Sequence, residues 1–309
     1  MPLFRKIYLF LLLILLCITC KEFNIETDDF ESSFRIKTII QYDEFGEETG
    51  RDVFNYKADK LILWLWYYYE ESVCTTGRKV EVVYEGDNFK ATMSMKKKEI
   101  WERQRECQFT ISGGRVHERL VSRLSSPQCV ECWNYVYDYT DSGILKWKEF
   151  VKNNDYTWLE YRKVEYEYDN KNLVRYKDYV NYNQTGFKLD YIKEYFIEND
   201  KVAGWQGGTY IEDSDWSPTQ KVDYAYEQNN IVLKSYSVWN QELKKWNAFG
   251  SVSYKYDVHD NLIEEISSSG IRTVYEYERG KGNASLIYCD PETEPDFEPQ
   301  LKSSQNFIN

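Results

Sequence analysis

Apolar and polar residues alternate along most of this chain. In Lys163-Val164-Glu165-Tyr166-Glu167-Tyr168 and Val252-Ser253-Tyr254-Lys255-Tyr256 every second side chain is apolar, and Phe89, Ala91, Met93 and Met95 alternate with Lys90, Thr92, Ser94 and Lys96. Successive side chains of a strand point to opposite faces, so a period of two predicts strands with one buried face. Lys60 to Tyr69 is apolar almost throughout and predicts a strand buried on both faces, with a core helix as the alternative. Val116, Leu120, Val121 and Leu124 fall at helical spacing and predict one short helix near 116–125. The expected fold class is all-β, with helix under about 15%, below the usual share for globular chains.

The alternation is organised in repeats. A Tyr-x-Tyr pair or its equivalent stands at Tyr135/Tyr137, Tyr166/Tyr168, Tyr195/Ile197, Tyr224/Tyr226 and Tyr254/Tyr256, in steps of 31, 29, 29 and 30 residues. Eight residues before the first ring of the last four pairs lies another aromatic: Trp158, Phe187, Trp216 and Trp246. An acidic residue follows each pair, then a polar turn, then an aliphatic: Ile144, Leu173, Val202, Ile231 and Leu262. Weaker copies stand upstream at Phe109/Ile111 and Val82/Tyr84. About thirty residues with two turns make one hairpin, and a chain of hairpins makes an antiparallel meander. Eight is even, so each preceding ring is expected on the same face as its pair unless a bulge intervenes.

Tyr254-Lys255-Tyr256-Asp257-Val258-His259-Asp260-Asn261-Leu262 resembles the YD repeat, the Tyr-Asp hairpin unit of bacterial cell-envelope and Rhs-type proteins. Tyr135 to Leu145 and Tyr166 to Leu173 match it less fully. Asp260 stands where the family has its turn glycine, and the period near 30 exceeds the shorter one usual in Rhs shells. The resemblance implies an envelope protein of curved β-sheet, without a catalytic residue and without the enclosed toxin of the shell-forming group. The expected architecture is an extended antiparallel sheet of tandem hairpins, curved or partly spiralled.

The N-terminus predicts export. Arg5 and Lys6 precede an apolar run from Ile7 to Ile18, too short to span a bilayer, which ends at Thr19-Cys20-Lys21-Glu22. Cys17-Ile18-Thr19-Cys20 resembles a bacterial lipobox, although Cys17 and Thr19 replace the family's usual Leu and small residue. The resemblance implies cleavage before Cys20 and acyl chains on its thiol, which would hold the mature chain to a membrane. The alternatives are an ordinary cleaved signal and an uncleaved anchor. The expected organisation is a signal peptide over 1–19, an acidic tether over 20–31, an irregular β-rich part over 32–126, hairpin repeats over 127–289 and a disordered acidic tail over 290–309. The bacterial outer membrane is the expected location, with the periplasmic or surface face open.

Composition narrows the function. A net charge of −12 disfavours nucleic acid, since neutralising phosphates requires clustered Lys and Arg. Only two histidines are present, and no Gly-x-Ser-x-Gly, His-Glu-x-x-His or phosphate loop occurs. No enzyme activity, cofactor or metal is expected. Cys129-Val130-Glu131-Cys132 lacks the second ligand pair of a zinc site. In an exported chain Cys74, Cys107, Cys129 and Cys132 are instead disulfide candidates. Gly204-Trp205-Gln206-Gly207-Gly208 reads as a bulge or bend rather than a ligand cradle. Trp158, Trp216 and Trp246 form either an exposed sugar-stacking platform or, the preferred reading, core packing repeated once per hairpin. The expected function is a lipid-anchored envelope scaffold binding a protein or glycan partner. The alternative is an exported hydrolase, for example glycan-active, with an unrecognised site.

Overall fold

The computed structural model describes residues 34–280 apart from 71–72, 98–99, 114, 125–131, 141–142, 153–156, 170–171 and 212–215. The signal segment with Cys20, the tether at 20–31 and the tail at 290–309 lie outside the described residues. Alternation builds eighteen strands in the order β1 (Phe34–Tyr42), β2 (Glu48–Lys57), β3 (Lys60–Glu70), β4 (Val73–Glu85), β5 (Asn88–Lys97), β6 (Ile100–Ser112), β7 (Arg115–Arg123), β8 (Cys132–Thr140) and β9 (Gly143–Lys152). They continue as β10 (Trp158–Asp169), β11 (Asn172–Val180), β12 (Lys188–Glu198), β13 (Lys201–Thr209), β14 (Ser217–Glu227), β15 (Asn230–Asn240), β16 (Lys245–Tyr256), β17 (Leu262–Ser267) and β18 (Arg272–Arg279). Among the described residues the only helical element is a single 3-10 turn at Tyr182–Gln184.

Each strand pairs antiparallel with the next, and β18 returns to pair with β1 from Phe34↔Arg279 to Tyr42↔Arg272. The sheet is therefore a closed 18-stranded barrel, which corrects the expectation of an extended or partly spiralled sheet. Closure leaves no edge strand exposed, the liability of any open sheet. β1 to β7 are continuous with the clearer repeats, so the N-terminal part is neither a cap nor a separate layer. The predicted helix near 116–125 is instead β7, whose Arg119 and Val121 are buried while Arg115, His117 and Arg123 are exposed. Leu120 and Val121 are adjacent and so lie on opposite faces of that strand, which is what mimicked helical spacing. Lys60 to Tyr69 is a strand as expected, but of its residues only Leu61 is fully buried and Ile62 is exposed.

One end of the barrel carries tight turns. Asn199-Asp200 is a two-residue reversal with both φ positive, at 51° and 60°, matching the twist of its hairpin. Beside these turns a register shift recurs, setting Tyr56 opposite Leu61, Tyr139 opposite Ile144, Tyr168 opposite Leu173, Tyr226 opposite Ile231 and Tyr256 opposite Leu262. Here the second ring of each repeat meets the aliphatic of the same repeat. Its hydroxyl reaches the other way, to the preceding strand. Tyr56, Tyr84, Tyr139, Tyr168, Tyr226, Tyr256 and Tyr277 donate to the carbonyls of Ile36, Leu61, Val116, Ile144, Val202, Ile231 and Leu262, at 2.6–3.0 Å. Each of these carbonyls lies just past the last ladder pair between the two strands, so the phenol continues the hydrogen bonding where the backbone stops.

A second shift lies five residues before the first ring. Gly77, Gln104, Tyr161, Asp190, Thr219 and Phe249 are each the unmatched residue of a bulge, ahead of Val82, Phe109, Tyr166, Tyr195, Tyr224 and Tyr254. One extra residue exchanges the faces of the sheet. The ring eight residues back therefore does not share the face of its pair. Glycines fit the closest approaches of this scheme: a Cβ on Gly208 would stand 1.9 Å from the Ser217 carbonyl oxygen, at the β13–β14 bulge. The run from Gly204 to Gly208 is itself regular strand, and the extra residues lie beside and opposite it, at Ala203 and Thr219.

On the concave side of a closed sheet side chains converge, and the buried rows mark that side. Phe54, Val80, Phe89, Ala91, Cys107, Phe109, Val121, Tyr135, Trp147, Val164, Tyr166, Trp205 and Val222 form one continuous lining. The alternate positions carry ion pairs: Lys146–Asp138, Lys148–Glu160, Lys163–Glu165, Arg175 with Glu167 and Glu194, and Lys221–Asp223. A barrel wall in lipid presents an apolar band about 25 Å tall. This wall carries ion pairs at mid-strand.

Candidate functional site: the polar mouth of the barrel

The lining changes character toward the end of the barrel opposite the tight turns. Charged residues take inward positions in phase with the rings: Arg105 two residues from Cys107, Arg123 two from Val121, Glu149 two from Trp147, Arg162 two from Val164 and Asp178 two from Tyr176. With Trp133, Tyr135, Tyr161, Val180 and Asp190 they enclose a cavity of about 620 Å³. Tyr161 and Asp190 are bulge residues of β10 and β12, and the bulges bring their side chains to the cavity.

The cavity is polarised by strand order. Arg105 and Arg123 stand directly opposite each other in the β6–β7 register. Across the rings of β8, the β9–β12 side holds Glu149, Arg162, Asp178 and Asp190. Arg162 Nε donates to Asp178 Oδ1 at 2.8 Å, its Nη2 pairs with Asp178 Oδ2, and its guanidinium lies 5.3 Å from the Trp147 ring centroid. Glu149 and Asp178 are buried, at 8% and 4% exposure.

Beneath the cavity Arg119, only 1% exposed, pairs in register with Tyr135 and lies 4.2 Å from the centre of its ring. Its Nε and Nη1 have no hydrogen-bond partner. Burial, with the Glu149 carboxylate beside it, pushes the Tyr135 phenol well above its ordinary value, so it is a neutral donor at physiological pH. Such a set offers aromatic faces, neutral and charged donors and carboxylate acceptors to one ligand. Among the described residues no group of three His, Cys, Asp or Glu is placed to hold a metal ion.

The tryptophans singled out from the sequence lie elsewhere. Trp158 is 41% exposed at the start of β10, and Trp216 and Trp246 are half-buried, all toward the loop end of the barrel. The preferred core reading is thereby corrected: the bulge between each tryptophan and its tyrosine pair moves it off the buried face. Trp246 pairs in register with Trp239 and packs edge-on against it, with ring centroids 5.1 Å apart. The exposed Tyr161, Tyr182, Tyr210 and Phe249 stand toward the same end.

Of the cysteine candidates, Cys132 at the start of β8 is disulfide-bonded and Cys107 is fully buried between Ala91 and Val121. The side chains of Cys74 and Cys129 lie outside the described residues, as does Cys20. The mouth residues other than Tyr135 were missed by the sequence reading. The signal available was a charge in phase with the buried rings.

No family model and no curated protein matches the chain. Solved structures give low-identity likenesses. A porin-like protein from Bacteroides vulgatus is 14% identical over 79% of this chain and 98% of its own, with a TM-score of 0.41. A protein of unknown function from Bacteroides fragilis is 13% identical over 46% of this chain and 88% of its own, with a TM-score of 0.25. The TcdB2–TccC3 complex is 12% identical over 72% of this chain, which spans 13% of the matched chain, with a TM-score of 0.26.

Proposed function

We propose that the chain is an exported, lipid-anchored binding protein of the bacterial cell envelope whose barrel holds a saccharide in its mouth. The observation that carries this reading is the cavity of about 620 Å³ in which Trp133, Tyr135 and Tyr161 stand beside buried carboxylates and guanidinium groups. Aromatic faces pack against the C–H faces of sugar rings, and fixed polar groups exchange hydrogen bonds with hydroxyls. The exposed aromatics at the same end, Trp158, Tyr182 and Tyr210 among them, would extend that platform. Export and anchoring rest on the lipobox resemblance at Cys20, and the envelope setting on the YD-like repeats. A charged outer wall suits a barrel tethered to a membrane better than one inserted in it. The role is binding, with no catalytic step.

A glycan array probed with residues 21–309 tests the binding. Wild type should be retained by a saccharide, and Trp133→Ala should lower that retention at least tenfold; equal retention of the two proteins, or none of either, contradicts the reading. For the anchor, palmitate labelling in the producing cell should disappear in Cys20→Ala. Label that persists in that variant places the lipid elsewhere.

A further inference from the structure

The mouth has a floor, and the inference that follows rests on the saccharide-binding role proposed above. Arg105, Arg123, Glu149, Arg162 and Asp178 form one layer of inward side chains around the cavity. Two residues further along each strand, toward the tight turns, stand Cys107, Val121, Trp147, Val164 and Tyr176, and with Tyr135 they are at most 6% exposed. Side chains as short as Cys107 and Val164 do not shield themselves, so rings cover them. The centroids of Tyr135 and Trp147 lie 5.9 Å apart, those of Tyr166 and Tyr176 lie 5.5 Å apart, and Trp147 Nε1 donates to the Tyr166 hydroxyl at 3.1 Å. Strands β8 to β11 thus contribute one connected plate of rings beneath the cavity. Eighteen strands are enough to leave an aqueous channel through a barrel. Here the interior of the other strands is closed as well, with Phe54, Trp205, Val222 and Tyr254 all buried.

We propose that the mouth is a blind pit that takes the free end of a saccharide chain rather than a stretch of its interior. Its walls are the hydrogen-bonded ladder from β6 to β12, its floor is the plate of rings, and it opens toward the loop end of the barrel. An internal stretch of chain needs both an entrance and an exit. It would reach the floor only by doubling back within about 620 Å³, a volume that suits one small ligand. A chain end enters without folding. It also carries a hydroxyl where an internal unit has a linkage, and this group meets the polar layer of the wall while Trp133 and Tyr135 pack against the ring that bears it.

Titration calorimetry on residues 21–309 tests the assignment with α-1,4-linked glucose as the probe, offered as linear chains of two to seven units and as the closed ring of seven. The ring has the units and linkages of the longest chain and lacks its ends. Affinity for the linear chains should rise with length and level off before seven units, where the pit is full, with one barrel bound per chain. The ring should bind at least tenfold more weakly than the seven-unit chain. Trp133→Ala should weaken the linear chain at least tenfold, leave the ring as it was and retain the wild-type far-UV circular dichroism spectrum. A ring bound as tightly as the chain, or affinity still rising at seven units, overturns end-on binding while leaving saccharide binding intact. Binding of neither probe overturns end-on binding, and an empty glycan array would then overturn the binding role as well.

Discussion

The hydroxyl of Tyr256 donates to the carbonyl of Ile231 at 2.8 Å, tying the second ring of one repeat to the aliphatic of the repeat before it. Ile231 in turn sits opposite Tyr226, whose own hydroxyl reaches back to Val202. The two recurring positions of the hairpin unit are thus donor and acceptor of one bond between units. Where the second position is Ile111 or Ile197, the side chain has no donor to offer.

Removing one such hydroxyl should cost what a net hydrogen bond is worth, about 0.5–1.5 kcal/mol. Tyr256→Phe keeps the ring and its packing, so urea denaturation should show a lower midpoint with an unchanged slope. A midpoint equal to that of wild type would show that the phenol contributes nothing to the join.

These bonds also set an alkaline limit. Burial holds the Tyr168 and Tyr226 phenols above their ordinary value, and does the same to Tyr56, Tyr139 and Tyr256 against or with their neighbouring charges. A raised phenol value means that the folded state holds the proton more tightly. Its contribution is therefore whole below the unfolded value of about 10 and is lost as pH rises above it. The melting temperature should fall steeply above about pH 10, and less steeply in a Tyr226→Phe/Tyr256→Phe double variant. Parallel pH profiles for the two proteins would contradict this.

Gly208→Ala should destabilise strongly, by about 2 kcal/mol or more, because its Cβ would meet backbone, the Ser217 carbonyl oxygen at 1.9 Å, which cannot swing away. Gly46→Ala, with φ of +82° but nothing within 4 Å, should cost about 1 kcal/mol through backbone strain alone. Thermal melts of the two variants should rank in that order.

The repeats were legible because a buried face imposes period two and each hairpin imposes its turn, as Tyr166/Tyr168 and Asp169 show. Closure was not, since pairing of Ile39 with Tyr275 is a relation across most of the chain that no local pattern records. The bulges at Tyr161 and Phe249 were equally hidden, because neither position carries a glycine or proline, and missing them put Trp158 and Trp246 on the wrong face. The mouth escaped for a related reason: Arg162 and Asp178 look like ordinary surface charges until their phase relative to Val164 and Tyr176 places them inside.

The charged wall carries its own expectation. Residues 21–309, which lack Cys20, should stay dispersed in sedimentation velocity without detergent, since Lys148–Glu160 and Lys163–Glu165 keep mid-strand positions hydrated. Dispersion only in detergent would mean that the wall meets lipid after all.

Closure itself is most directly tested by the distance across the β1–β18 seam. Spin labels at Lys37 and Glu276, both exposed and on neighbouring strands next to the register pair Thr38↔Glu276, report it by pulsed electron resonance. In the barrel the labels sit on strands about 5 Å apart, and with label linkers the distance should peak below about 20 Å. In an open sheet of the same strands the first and last lie about 80 Å apart along the sheet, and curvature would have to bring them back. A narrow short-distance peak is the predicted result, and a distribution centred beyond about 40 Å would contradict the barrel and, with it, the mouth assembled from β6 to β12.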